Sequence, residues 1–295
     1  MEFAIKQTSA LTLLLVFLCF IFIILSCENN KNNISTYNCS NALNYIGTPT
    51  SSKDRNSLAF SDLGSWFAYG FPSDPSCYGG FSGPFLMTQE NGVWCSEVLS
   101  QLDLTPTRTD QHLDWNGFKV SQTSYGSHLE QVFENEQLNI VQTLVYSSPH
   151  SALITTQITN LSDNTIELVP RWKGSVFLKG SQFKRQIDAV AITSDKSAAD
   201  GIIQVFGDTI SSISLTDTTY AIELENFELK KGEEKQLVLA HSFIFPEYDK
   251  EEEQRQITKV AKSSQNLLQT RIRRIEERQT YQRKLPPNYW NRIRI

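Results

Sequence analysis

The sequence predicts an all-β protein: a large antiparallel β-supersandwich followed by a long C-terminal amphipathic linker helix. Three observations carry that expectation. After Gly117, runs of alternating character follow one another, as at Leu138, Ile140, Gln142, Leu144 and Tyr146; a period of two sends successive side chains to opposite faces of a strand. Turn clusters divide these runs, and no helical pattern of 10–15 residues intervenes, which argues against a parallel α/β sheet. Only beyond Pro246 does the apolar spacing become helical.

The chain has 295 residues, 40% of them hydrophobic, enough for one large β domain with a substantial core. Its net charge of −5 argues against a nucleic-acid partner, which needs a basic surface to displace counterions.

Residues 1–27 have the character of an export signal. Lys6 precedes an apolar run over 10–25, and the chain turns polar at once after Cys27. A run of roughly 16 residues suits a signal-peptide core better than a spanning helix of about 20. Ile24-Leu25-Ser26-Cys27 resembles a bacterial lipobox, which makes Cys27 the lipidation residue and places the protein at the bacterial cell envelope, periplasmic or on the outer-membrane face. An uncleaved anchor helix over 10–27 is the alternative. Residues 28–40, rich in Asn and Ser, form a flexible tether.

The β domain is expected over 41–247. Residues 57–103 combine aromatics with turn signals at Gly70-Phe71-Pro72, Asp74-Pro75, Gly79-Gly80 and Gly83-Pro84, which implies short strands and structured loops. Strands are expected over 85–88 and 93–99, around the turn Glu90-Asn91-Gly92. Further strands follow at 118–122, 129–133, 138–146, 153–159, 165–172, 186–193, 202–206, 220–224 and 236–245. The segment 230–235 reads as a hairpin connection into the last of them. Asp249, with Glu252 three residues on, forms a capping box. Ile257, Val260, Ala261, Leu267, Leu268, Ile272 and Ile275 then keep helical spacing, so one helix is expected over 250–283, within a linker segment 248–285. Its apolar stripe needs a partner, either the β domain itself or a following domain. Residues 286–295 read as the opening of a further domain.

Three stretches carry a family resemblance: Asn44-Tyr45-Ile46-Gly47-Thr48-Pro49; Phe60-Ser61-Asp62-Leu63-Gly64-Ser65-Trp66-Phe67-Ala68-Tyr69-Gly70-Phe71-Pro72; and Gly79-Gly80-Phe81-Ser82-Gly83-Pro84-Phe85 with Val93-Trp94 beyond it. Together with the helix over 257–274 they resemble the N-terminal β-sandwich domain of the bacterial glucosidase branch of glycoside hydrolase family 63. The resemblance implies a β-sandwich joined by a linker helix to an (α/α)6 barrel, which carries the acid and base carboxylates of inverting α-glycoside hydrolysis. The barrel is missing from this sequence, so no catalytic residue is carried over. The chain alone is expected to be inactive, its partner being that catalytic domain in cis or in trans. If nothing covers the helix stripe, self-association is expected.

The side chains allow other chemistry to be weighed. Inversion needs two carboxylates about 6.5–9.5 Å apart; Asp62, Asp74, Glu90 and Glu97 lie near the aromatic-rich region, but spacing singles out no pair. Trp66, Tyr69, Phe81 and Trp94 are the candidates for contact with an oligosaccharide or with another domain, against a default role in the core. Asp110, His112 and Asp114 alternate as ligands on one strand face could, yet no metal is expected without a distant partner, and no cofactor motif appears. Of Cys39, Cys77 and Cys95, at most two can pair. A self-standing surface glycan-binding lipoprotein and a structural or interaction protein are the alternative functions.

Overall fold

The computed structural model describes residues 40–87, 92–108, 111–177, 180–195 and 197–284. Residues 1–39, with the lipobox, Cys27 and Cys39, lie outside them, as do Glu90, Asp110 and 286–295. Among the described residues no helix is long and apolar enough to cross a membrane.

In chain order, β1 (Phe67–Gly70), β2 (Ser82–Leu86) and β3 (Val93–Trp94) form a small antiparallel sheet. β4 (Gln101–Pro106) follows, then a meander of β5 (Lys119–Ser124), β6 (Leu129–Glu134), β7 (Leu138–Tyr146) and β8 (Ser151–Asn160). Next come β9 (Ile166–Ser175), β10 (Ser181–Arg185), β11 (Ala189–Ser194), β12 (Asp200–Phe206), β13 (Ile210–Leu215), β14 (Thr219–Leu224), β15 (Phe227–Leu229) and β16 (Glu234–Ile244). One sheet has eight strands in the order β10-β11-β12-β16-β8-β7-β6-β5. The other has five: β4 lies along one edge of β9, while β14 and β15 share its opposite edge and β13 lies beyond β14.

The period-two pattern now has a physical address. Leu129, Phe133, Ile140, Leu144, Ile154, Ile158, Leu237 and Leu239 point inward from the large sheet and pack with Leu102, Leu104, Leu168, Trp172, Ile222 and Leu224 of the smaller one. Each large aliphatic side chain buried in this way contributes about 1.5–3 kcal/mol. Gln131 and Gln142 occupy inward positions that apolar residues would otherwise fill. Gln131 Nε2 donates to Gln142 Oε1 (2.8 Å) and to Gly80 O (2.8 Å), and Gln142 Nε2 donates to Gly79 O (3.0 Å). The glutamines thereby fasten the Gly79-Gly80 turn to the core. Gly79 has φ +88°, and a Cβ there would lie 2.6 Å from the Trp115 ring, so a side chain has no room.

Three local expectations change. The stretch 93–99 continues as a strand only to Trp94; beyond it Cys95 N donates to Pro84 O, and Leu99 N to Gly83 O, as the chain crosses over β2. Residues 230–235 join no hairpin, because β15 pairs with β9 and β16 with β8. They carry the chain from one sheet to the other, alongside the β8–β9 crossing at residues 160–165. Asn160 pins both crossings: its Nδ2 donates to Asn164 O (2.7 Å) and to Leu229 O (2.8 Å), and its carbonyl accepts from Gly232 N (2.7 Å).

The single helix expected over 250–283 is two, α1 (Lys250–Ala261) and α2 (Ser264–Lys284). At the break Ser263 N bonds to Val260 O, three residues back, tightening the turn. The start is as expected, with Asp249 Oδ1 accepting from Glu252 N at 2.9 Å. Nor is the stripe left open. Ile257 and Ala261 are buried against Val145, Leu153, Val238 and Ala240 on the outer face of β7, β8 and β16, with Val260 and Leu267 beside them.

Candidate functional site

A polar cleft of about 440 Å³ lies on the outer face of the five-stranded sheet. Alternation along β9 builds its floor: Trp172 points into the core, so Arg171 and Lys173 point out. Register sets their neighbours. Gln101, Lys173, Ala221 and Ser214 lie in one row across the strands, and Asp103, Arg171 and Glu223 in the next. Ala221 leaves a hollow among longer side chains.

Two loops raise the walls. A 3-10 turn, Pro75–Cys77, is capped by Asp74, which accepts from Ser76 N (2.9 Å) and so has its pKa lowered. Gln101 Nε2 donates to Ser76 O (2.7 Å) and Tyr78 O (2.8 Å), holding that turn over the start of β4. Opposite, Thr216 and Thr219 bond to one another at 2.7 Å across the β13–β14 turn.

The charges are unequally engaged. Lys173 Nζ lies 3.1 Å from Asp103 Oδ2, and His112 Nδ1 lies 3.1 Å from Oδ1. Arg171, half-buried, has no hydrogen-bond or ion-pair partner among the described residues, although Asp103 and Glu223 flank it in register. Burial pushes the Cys77 thiol up to about 12, with the nearby Glu97 carboxylate adding to the rise, and Cys77 Sγ lies 3.8 Å from Ser76 Oγ. Cys77 is therefore a thiol and no nucleophile. Cys77 and Cys95 are both buried and free.

Beneath the floor runs a buried polar chain. Tyr69 OH lies 2.7 Å from His241 Nδ1, His241 Nε2 lies 2.6 Å from Ser100 Oγ, and Ser100 bonds to Tyr220 OH. Burial lowers the His241 pKa to about 3 and raises those of Tyr69 and Tyr220. The imidazole is thus neutral, one nitrogen donating and the other accepting.

The four aromatic candidates separate. Tyr69, Phe81 and Trp94 are buried, at 0%, 2% and 1% exposure, and have no ring face free for a sugar. Trp94 Nε1 donates to Asp54 O (3.0 Å) and Tyr69 belongs to the buried chain. Trp66 is 49% exposed, edge-on to Phe245 at 6.1 Å. Of the candidate acids, Asp62 pairs with Arg271, Asp74 caps a turn and Glu97 alone enters the cleft. His112 turns to Asp103 and Thr105, while Asp114 caps a 3-10 turn by accepting from Asn116 N. Among the described residues no group of three His, Cys, Asp or Glu could hold a metal. Sequence reasoning missed Arg171, Lys173 and Gln101, since strand alternation marks them only as outward-facing.

A two-sheet antiparallel supersandwich, polar-clefted on one outer face and braced by helices on the other, defines the class: a large all-β domain. The chain belongs to the family of glucosidase YgjK N-terminal domains, whose model matches residues 46–276. Among solved structures, the chain matches a putative kojibiose phosphorylase from the human microbiome (12% identity over 79% of this chain, TM-score 0.45). A putative aldose 1-epimerase from Escherichia coli K12 (8% identity over 63% of this chain and 98% of its own length, TM-score 0.45) is another. This chain spans 33% of the length of the phosphorylase.

Proposed function

We propose that this chain is the non-catalytic N-terminal β domain of an exported glycoside hydrolase acting on α-linked glucosides, and that the bond-breaking carboxylates belong to a separate (α/α)6 domain in cis or in trans. The observation that carries this reading is the fastening of the helical segment to the sandwich. A buried ion pair between Arg271 and Asp62 and the apolar seam at Ile257 and Ala261 hold that segment rigidly, as a strut that positions a second domain must be held. Two acids near the aromatic-rich loops support it as well: Asp62 and Asp74 are engaged in holding structure, and of the described candidates Glu97 alone lines the cleft. Inversion asks instead for two carboxylates free to face a sugar across a water.

The test is hydrolysis of nitrophenyl α-glucoside and maltooligosaccharides by the purified chain, alone and mixed with a catalytic barrel from a family glucosidase. No turnover is expected from the chain alone; turnover that scales with it through repurification sinks the reading. Export and anchoring through a lipid on Cys27 are part of the same proposal. Mass spectrometry of the membrane fraction is expected to find an acylated Cys27, and Cys27→Ala to release the protein. Retention of that variant in the membrane would favour the anchor helix over 10–27.

A further inference from the structure

We propose that the cleft over β4, β9 and β14 is a binding site for a neutral saccharide. Its volume, about 440 Å³, lies within the roughly 300–1,000 Å³ of small-molecule sites. Its chemistry is that of a polyol receptor. Arg171 offers a planar fork of donors that no group among the described residues occupies, matched to two adjacent oxygens of one ring. Glu97, which lines the cleft, keeps carboxylate lone pairs for hydroxyl donors. Gln101, whose amide nitrogen is spent on Ser76 and Tyr78, keeps its oxygen. Thr216 and Thr219 add hydroxyls that donate and accept. Donors and acceptors alternate around a hollow floored by Ala221, as the hydroxyls of a sugar require.

Charge decides between sugar classes. Arg171 and Lys173 face Glu97 and Asp103, with Glu223 in the Arg171 row. The cations are thus matched by acids, Lys173 being already paired to Asp103. An anionic sugar gains from Arg171 but meets repulsion from its neighbours, whereas an uncharged ring keeps every hydrogen bond without that cost. The cleft presents no exposed aromatic platform, Tyr220 being buried, so hydrogen bonds to charged side chains carry the affinity. This site is independent of whether the chain itself hydrolyses anything.

The experiment is a calorimetric titration of the full chain in detergent with maltotetraose and, in parallel, with glucuronate. Saturable binding of the tetrasaccharide and weaker binding of glucuronate are expected. Arg171→Ala, which removes the free fork, is expected to weaken tetrasaccharide binding about tenfold, and Glu97→Gln about fivefold, as loss of charge-assisted hydrogen bonds entails. Circular dichroism checks that each variant is folded. No saturable binding, unchanged affinity in both variants, or tighter binding of glucuronate would each overturn the proposal.

Discussion

Arg271 on α2 donates its Nη2 to Oδ2 of Asp62, 209 residues earlier in the chain, and the arginine side chain is 3% exposed. The same carboxylate accepts from Leu63 N through Oδ1 at 2.7 Å. Leu63 and Gly64 both have positive φ, at +57° and +74°, so the Asp-Leu-Gly-Ser stretch is a tight left-handed turn that aims Asp62 at the strut. Glycine at 64 takes that conformation without the steric cost a side chain incurs. A stretch that in the sequence carries the family resemblance is, in the fold, a latch.

Breaking one side of a buried pair strands the other charge, at roughly 3–5 kcal/mol. Asp62→Ala is expected to fall in that range by urea unfolding. Arg271→Met is expected to cost less, because it leaves only a partly exposed carboxylate and removes the unpartnered Arg271 Nε. Hydrogen exchange in Asp62→Ala should rise across 264–278 and stay low across 250–261, which the apolar seam still holds. Uniform loss of protection in both helices would contradict the latch.

Ile257 is 1% exposed in the seam on the outer face of the eight-stranded sheet. Ile257→Ala is expected to destabilise by about 2–5 kcal/mol. Ile257→Asp should lift α1 from Val145, Leu153, Val238 and Ala240 and expose an apolar patch. Light scattering is expected to show a concentration-dependent oligomer for Ile257→Asp and a monomer for the wild type.

Acid should loosen this fold early. His241 and His128 have folded pKa values lowered by burial to about 3 and about 4, from 6.5. The unfolded chain therefore binds more protons below pH 6.5, and the stability contributed by these groups is present above that pH and lost as pH falls toward 3–4. Each contributes roughly 2 kcal/mol of loss between pH 7 and pH 5 by that linkage. The urea midpoint should fall over this interval, and His241→Gln should have a flatter pH dependence on a lower baseline. An unchanged slope in His241→Gln would deny its burial as a neutral ring.

Asn160→Ala removes the side-chain donor at the inter-sheet crossings, taking a partner from Leu229 O and leaving Asn164 O with the Ser162 hydroxyl. A loss of roughly 2–3 kcal/mol is expected in chemical unfolding. Asn160→Asp should be worse, since a buried carboxylate would face those same carbonyl oxygens.

The sandwich was legible because burial on one face writes itself into the chain at period two. The long strands β7, β8 and β16 stand within two residues of where the alternation puts them. The strands that escaped have physical reasons. β13 carries Ser at three of six positions and a bulge between Ile210 and Ser212, which breaks its period. β15 has three residues. β4, with Leu102 and Leu104 buried, alternates only over Gln101-Leu102-Asp103-Leu104, and buried Asp103 and terminal Pro106 blur that short signal.

What the sequence determined by itself is the local code: which residues form the long strands β7, β8 and β16, where the chain leaves the sheets at Pro246, how Asp249 caps α1, and which family the turn motifs resemble. Tertiary structure alone decided which strands are neighbours, that 230–235 crosses between sheets, that Asp62 answers Arg271, and that Arg171 shares a cleft with Glu97. Alternation records only which face of a strand is buried. Pairing across 209 residues depends on how the sheets stack, and no local pattern holds that information.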